Sequence, residues 1–411
     1  MKKFIFSLIA YFILNNSFFL SDIKSQWLPS SGLDGKSVYC TGTGVSKLFA
    51  GTDAYGIYTS TDNGQNWIQS SLNNREVHTI ASKDSIIFAG TFYYGVYIST
   101  NNGVSWNQST LNNKNIYTLA ISGNRVFAGS DSNGIFISEN LGQTWQQSSL
   151  NNRMVRAITI NGTNIFAGCN NYPAGIGGVY LSTNNGINWV QTSLSSKSVY
   201  ALTISGNKIY AGLNDTGVYI STNNGQNWSN TTIGNKMVNV LCNYGSSVFA
   251  GSTNYPSGTG GVRVTTNDGQ NWTTINEGWM VYPTVYSLLI ANSYIFAGIS
   301  TWSVWRRPLS EVIAIEKIGS EIPKSFSLEQ NYPNPFNQSS IINFQCAIAG
   351  LIQLKVYDIM GKEVMTLVDN EELQPGTYSV RFDAAGLAGG FYFYRLYADG
   401  FTITKKLVLL K

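Results

Sequence analysis

Between residues 27 and 309 the chain is a succession of short apolar runs separated by clusters of Gly, Asn, Ser and Asp. Residues 77–109 show the pattern: VHTIAS, SIIFAGT, GVYIS and SWNQS, each rich in Val, Ile, Tyr or Phe or closed by turn residues. Short β-branched and aromatic runs with such boundaries predict four β-strands. The unit recurs. FAG or YAG begins at Phe49, Phe88, Phe127, Phe166, Tyr210, Phe249 and Phe296, and a tryptophan recurs at Trp67, Trp106, Trp145, Trp189, Trp228 and Trp272 with spacings of 39, 39, 44, 39 and 44. Four strands in a period near forty, repeated seven times, predict an all-β fold built on a seven-bladed β-propeller. The last copy, VYSLLI, YIFAGIS and SVWRRPL (285–309), supplies only three strands. WLPSSGLDGKSVY from Trp27 parallels WIQSSLNNREVHT from Trp67. The segment at Trp27 is therefore expected to supply the missing fourth strand and close the ring, pairing two sheet edges that would otherwise be open.

Each tryptophan ends a turn motif, first seen as STDNGQNW (60–67) and again at 99–106, 138–145, 182–189, 221–228 and 265–272. It falls between the third and fourth strands. Asp62 can accept hydrogen bonds from turn N–H groups, Gly64 permits positive φ, and Trp67 is expected to bury its ring against its own or the next blade. Asn101, Asn140, Asn184, Asn223 and Asn267 replace Asp62 elsewhere, which an amide can do in a turn but not in carboxylate catalysis. The motif is read as scaffold. It resembles the Asp-box of bacterial neuraminidase-type (BNR) repeats. That resemblance implies the propeller and leaves activity open, because sialidases, xyloglucan-cleaving glycosidases, sortilin-type receptors and photosystem II assembly factors share it. Of the residues a sialidase would need, no arginine of Arg75, Arg125, Arg153, Arg156, Arg263, Arg306 or Arg307 lies in a FRIP-like stretch.

The forty-residue period stops near Glu311. After a linker (309–325), alternating runs with hairpin signals predict a small immunoglobulin-like β-sandwich over 326–411. NYPNPFN (331–337), LKVYDIMGKEV (354–364), PGTYSVRFD (375–383), GFYFYRL (390–396) and KKLVLLK (405–411) resemble the type A C-terminal sorting domain of the type IX secretion system. The resemblance implies export through the periplasm and outer membrane, with the secretion machinery as partner and a secreted or cell-surface destination. Gln338 and Gly389 depart from the usual proline and serine.

Composition agrees. Gly is 41 of 411 residues and charged residues only 12%, which suits a turn-rich β protein. Lys2 and Lys3 ahead of FIFSLIAYFILNNSFFL read as a signal peptide (1–25), leaving a mature propeller over 26–308 and no transmembrane span after cleavage. Cys40, Cys169, Cys242 and Cys346 lack CxxC spacing, and His78 is the one histidine, so no metal site and no cofactor are expected. The cysteines are read as separate buried thiols.

Candidate binding chemistry gathers on the face formed by the inter-blade turns and the loops joining strands two and three. Lys36, Arg75, Lys114, Arg153, Lys197 and Lys236 occupy one turn column, broken only by Pro283. Symmetry suggests an anion-attracting ring around one channel mouth, for an anionic glycan or another surface polyanion, against a plainer reading as solvated turn residues. Tyr55, Tyr93, Tyr94, Tyr172 and Tyr255 are candidate loop contacts. The competing reading is a glycoside hydrolase using Asp53, Asp131 or Asp215. Nucleic acid is not an expected partner of a chain with net charge +4.

Overall fold

The computed structural model describes residues 26–172, 175–254, 258–312, 315–319, 321–337, 339–384 and 387–410; the segment read as a signal peptide (1–25) and Tyr255 lie outside them. In the first blade Val38–Thr43, Leu48–Thr52, Ile57–Ser60 and Ile68–Gln69 pair antiparallel in chain order. Five blades repeat this order, with innermost strands starting at Val77, Ile116, Val155, Val199 and Val238. The seventh combines Val285–Ala291, Tyr294–Ile299 and Val304–Pro308 with Leu28–Pro29, in which Leu28 faces Arg306 and Pro29 faces Trp305. The innermost strands neighbour one another cyclically, and Val285–Ala291 lies beside Val38–Thr43. The ring is closed by the N-terminal strand, and Trp27 is buried in the last blade.

The core is divided into seven apolar clusters, one at each contact between adjacent blades. This explains why the FAG strands are continuous apolar runs: Leu48–Thr52 is buried at every residue because a neighbouring blade covers each face. The Asp-box completes the same contacts. Ser60 Oγ accepts from Gly64 N–H at 2.9 Å, and Asp62 Oδ1 accepts from the N–H groups of Gln65 (3.1 Å) and Asn66 (3.0 Å). Asn101 and Asn223 reproduce the last bond at 2.9 Å with Ser105 and Asn227. Gly64 has φ +72°, and a Cβ there would sit 2.5 Å from the Phe296 ring of the preceding blade. The motif tryptophans follow it. Trp67 packs with Phe296 and Val304 of blade seven, and Trp106 with Phe49 and Ile57 of blade one. The neighbour is thus the preceding blade rather than the next one, joined by residues of the tryptophan's own blade such as Tyr58 and Tyr97, because the turn folds back over the preceding blade's FAG strand.

The C-terminal module is a two-sheet β-sandwich. One sheet orders Ile315–Gly319, Gly376–Asp383, Ser339–Cys346 and Ser327–Leu328; the other orders Phe336–Asn337, Phe401–Leu410, Gly390–Ala398, Gly350–Tyr357 and Glu363–Leu373. Its first strand falls within the span read as linker. The NYPNPFN segment is held by Tyr394, whose hydroxyl donates to Glu329 O (2.7 Å) and accepts from Asn331 N–H (2.8 Å). Buried Asn331 in turn donates from Nδ2 to Ser340 Oγ at 2.8 Å. None of the four cysteines is in a disulfide, and Cys40, Cys169 and Cys346 are buried.

Candidate ligand-binding site at the channel mouth

Each turn of the basic column precedes an innermost strand, and the side chains of Lys36, Arg75, Arg153 and Lys236 run outward across their own blade rather than into the mouth. Lys36 Nζ lies 5.1 Å from the Tyr55 ring centre and 5.8 Å from that of Tyr58. The Arg75 guanidinium stacks 4.1 Å over Tyr94 and donates from Nε to Tyr97 Oη at 3.2 Å. Arg153 repeats this with Tyr180 at 3.2 Å, and Lys236 Nζ donates to Thr259 Oγ1. Tyr58, Tyr97 and Tyr180 belong to third strands, two strands away from the channel. At Lys36, Arg75 and Arg153 the cation serves one local task. A flexible basic stem covers a tyrosine, a cation–π contact adds stability, and the residue's carbonyl accepts from the preceding blade, as Arg75 O does from Gly56 N–H at 2.9 Å. Lys114 and Lys197 hold the same turn position. Tyr55, Tyr93, Tyr94 and Tyr172 are exposed as expected, the first and third under Lys36 and Arg75.

A different column surrounds the opening. In all seven blades the ladder between the first two strands slips at the second residue of the innermost strand, between Val38 and Cys40 in blade one and at each equivalent point. The residues at this β-bulge are Tyr39, His78, Tyr117, Arg156, Tyr200, Asn239 and Tyr286. A bulge re-aims its extra side chain out of the pleat, and here six of the seven side chains meet in an arc from Tyr286 round to Tyr200. Ring centres lie 5.2 Å apart for Tyr39–Tyr286, 5.1 Å for Tyr39–His78 and 5.3 Å for His78–Tyr117. The Arg156 guanidinium sits 4.1 Å from Tyr117 and 5.3 Å from Tyr200. Asn239 holds the remaining position, donating from Nδ2 to Val285 O of blade seven at 3.0 Å. Phe92 packs on His78 at 5.7 Å.

Three carboxylates rim the belt over blades one to three. Glu76 Oε1 lies 2.8 Å from His78 Nε2. Burial holds His78 below the usual histidine value, and Arg156 adds to this while Glu76 opposes it. Tyr39 is pushed up to about 12, first by burial and then by the charges of Glu76, Tyr286 and Asp53. Tyr117 is raised by burial, with Asp131 and Glu76 adding to the shift and Arg156 opposing it. Asp53 and Asp131 occupy one column, donating their N–H to Ser37 O (3.2 Å) and Asn115 O (3.0 Å). The equivalent bond in blade five is made by Asn214, at 3.0 Å to Ser198 O, so exposed Asp215 is off the column. Glu76 and the bulge belt are the residues the sequence reading missed. Among the described residues no group of three or more His, Cys, Asp or Glu is placed to hold a metal ion, and no helix is long and apolar enough to cross a membrane.

Fold and motifs together define an exported Asp-box propeller with a sorting module. Residues 330–410 match the secretion system C-terminal sorting domain, and residues 219–230 match the BNR/Asp-box repeat. The protein is exported by the type IX pathway to the cell surface or beyond it, and its C-terminal module engages that machinery. Among solved structures it resembles YCF48 from Cyanidioschyzon merolae, with 12% identity and a TM-score of 0.54, over 69% of this chain and 98% of that one. It also resembles YCF48 bound to D1 peptide (13%, TM-score 0.54, 70% and 96%) and the computationally designed Ika8 protein (11%, TM-score 0.52, 69% and 99%). At these identities the likeness is one of fold. No curated protein matches the chain in sequence.

Proposed function

We propose that the exported propeller is a non-catalytic binding protein that takes an oligosaccharide at the bulge belt. The observation carrying this reading is that all seven blades spend a β-bulge on the same opening and fill it mainly with aromatic rings. A sugar presents apolar C–H faces, which stack on such rings, and a hydroxyl edge, which needs planar donors and acceptors. Glu76, Asp53, Asp131, Asn239 and Arg156 supply these around the belt. The outward course of Lys36, Arg75, Arg153 and Lys236 weakens the case for a polyanion and favours a largely uncharged glycan. Calorimetric titration of the mature protein against neutral and acidic oligosaccharides tests it. Tyr39→Ala and Tyr117→Ala should each weaken binding at least tenfold, while Lys114→Ala should not. Belt variants that bind as tightly as wild type would sink it.

One observation favours a second reading, glycoside hydrolysis. Glu76 acts electrostatically on both Tyr39 and Tyr117, and Asp53 and Asp131 each act on one of these tyrosines. Carboxylates therefore share a tyrosine-lined mouth, and glycosidases use a pair about 5–10 Å apart. Release of reducing ends by the wild type, lost in Glu76→Gln, would select this reading over simple binding.

A further inference from the structure

The sorting module has two outward sheet faces, and they differ in chemistry. On the four-stranded sheet, strands Ser339–Cys346 and Gly376–Asp383 turn Ile341, Asn343, Gln345, Thr377, Ser379 and Arg381 outward, a mostly polar surface without aromatic rings on which Arg381 is the charged member of these six. On the five-stranded sheet the outward rows are aromatic and basic. Register places Tyr357 beside Phe393 and Phe393 beside Lys406; the next row aligns Lys355, Arg395 and Thr404. Phe391 is 54% exposed and Phe393 36% exposed. The cations are spread over these rings. Lys406 Nζ lies 5.1 Å from the Phe391 ring centre, and the Arg395 guanidinium lies 5.2 Å from Tyr357 and 5.9 Å from Tyr397. Arg395 is further fixed by donating from Nε to Thr404 Oγ1 at 2.9 Å, and the Tyr357 and Tyr397 hydroxyls meet at 3.0 Å. The acid in these rows is Glu363, bonded to Lys355 at 2.9 Å.

Adjacent water-facing phenylalanines are unfavourable on a sheet surface unless something covers them at some stage. Aromatic and Arg side chains held in fixed positions are the composition of an interface core. This module's task is to be recognised during export, so the occupant follows from that task. We propose that the face bearing Tyr357, Phe391, Phe393, Arg395 and Lys406 is the surface by which the sorting module docks on the secretion machinery, against a protein partner presenting carboxylates around an apolar patch. The inference concerns the sorting module and is independent of what the propeller binds.

The test uses the full chain in a host with an active type IX system, comparing protein in the periplasm with protein on the surface and in the medium. Arg395→Glu with Lys406→Glu should lower delivery at least tenfold and accumulate periplasmic protein whose melting temperature matches wild type. Ser379→Glu with Arg381→Glu, on the opposite face, should leave delivery unchanged. Arg395→Lys with Lys406→Arg should restore most of it. Should the reversal abolish cooperative melting, Phe391→Ser with Phe393→Ser reads the same face, and the same tenfold loss is expected. Normal delivery by a variant of this face, or an equal loss from the opposite face, overturns the proposal.

Discussion

Trp27 stacks on Trp279, with ring centres 4.7 Å apart and planes 13° from parallel. The first residues of the propeller are thereby seated on the turn that introduces its last blade. Trp27 N–H donates to Glu277 O at 2.8 Å, and its indole donates to Ile275 O. Substituting Trp27 by Ala removes a large buried ring and should destabilise the propeller by about 3–5 kcal/mol. Urea unfolding should show this, and deletion of residues 26–31 should be at least as damaging. A deletion variant of undiminished stability would contradict ring closure by this strand.

His78 is the chain's one histidine, so its titration is readable without assignment. Its folded value lies below the 6.5 of a free histidine, because burial and the Arg156 charge outweigh Glu76. The unfolded chain therefore binds the proton first as pH falls, and stability should drop as pH passes below about 6.5. His78→Tyr, which installs the residue found at four other belt positions, should abolish that part of the pH dependence. Proton NMR of the imidazole and melting between pH 8 and pH 5 measure both.

Asp62 is held down to about 2. Burial opposes this, but hydrogen bonds from Asn66, Ser60 and Gln65 outweigh it. Its contribution is present above the ordinary carboxyl value and is lost as pH falls from about 4 towards 2. Asp62→Asn should therefore change stability at pH 7 by no more than ~0.5 kcal/mol while removing this acid-sensitive component. Asp62→Ala, which leaves the turn N–H groups without their acceptor, should cost about 1–2 kcal/mol.

Deleting residues 326–411 should leave a folded propeller that melts cooperatively but collects in the periplasm. Cell fractionation checks this, and normal surface delivery without the module would contradict its sorting role.

The blades were legible because repetition along the chain reports the scaffold. FAG, the Asp-box and the tryptophans recur since every blade needs the same inter-blade contact. The same logic misdirected the reading of the cations. Lys36, Arg75 and Arg153 recur because each covers a tyrosine of its own blade, a task local to the repeat. The belt was illegible for the opposite reason. Tyr39, His78, Arg156 and Asn239 share a position but no chemistry, and only the bulge, a feature of pairing rather than of residue type, turns them toward one opening. In a repeat protein, the invariant column builds the blade, and the varied column carries what distinguishes this molecule from a generic ring.

The strand that closes the propeller also bears on mechanics. Leu28–Pro29 is paired to Val304–Pro308, the last strand before the chain leaves for the sorting module. Traction applied through that module, as during passage across the outer membrane, therefore arrives at the seam of the ring, where a two-residue ladder and the contacts of Trp27 with Glu277, Ile275 and Trp279 make the closure. The seventh blade is the fuse: it should open at the lowest force and leave six intact blades behind it. Single-molecule pulling from the C-terminus should show a small first rupture that Trp27→Ala shifts to lower force, with the larger unfolding steps unchanged.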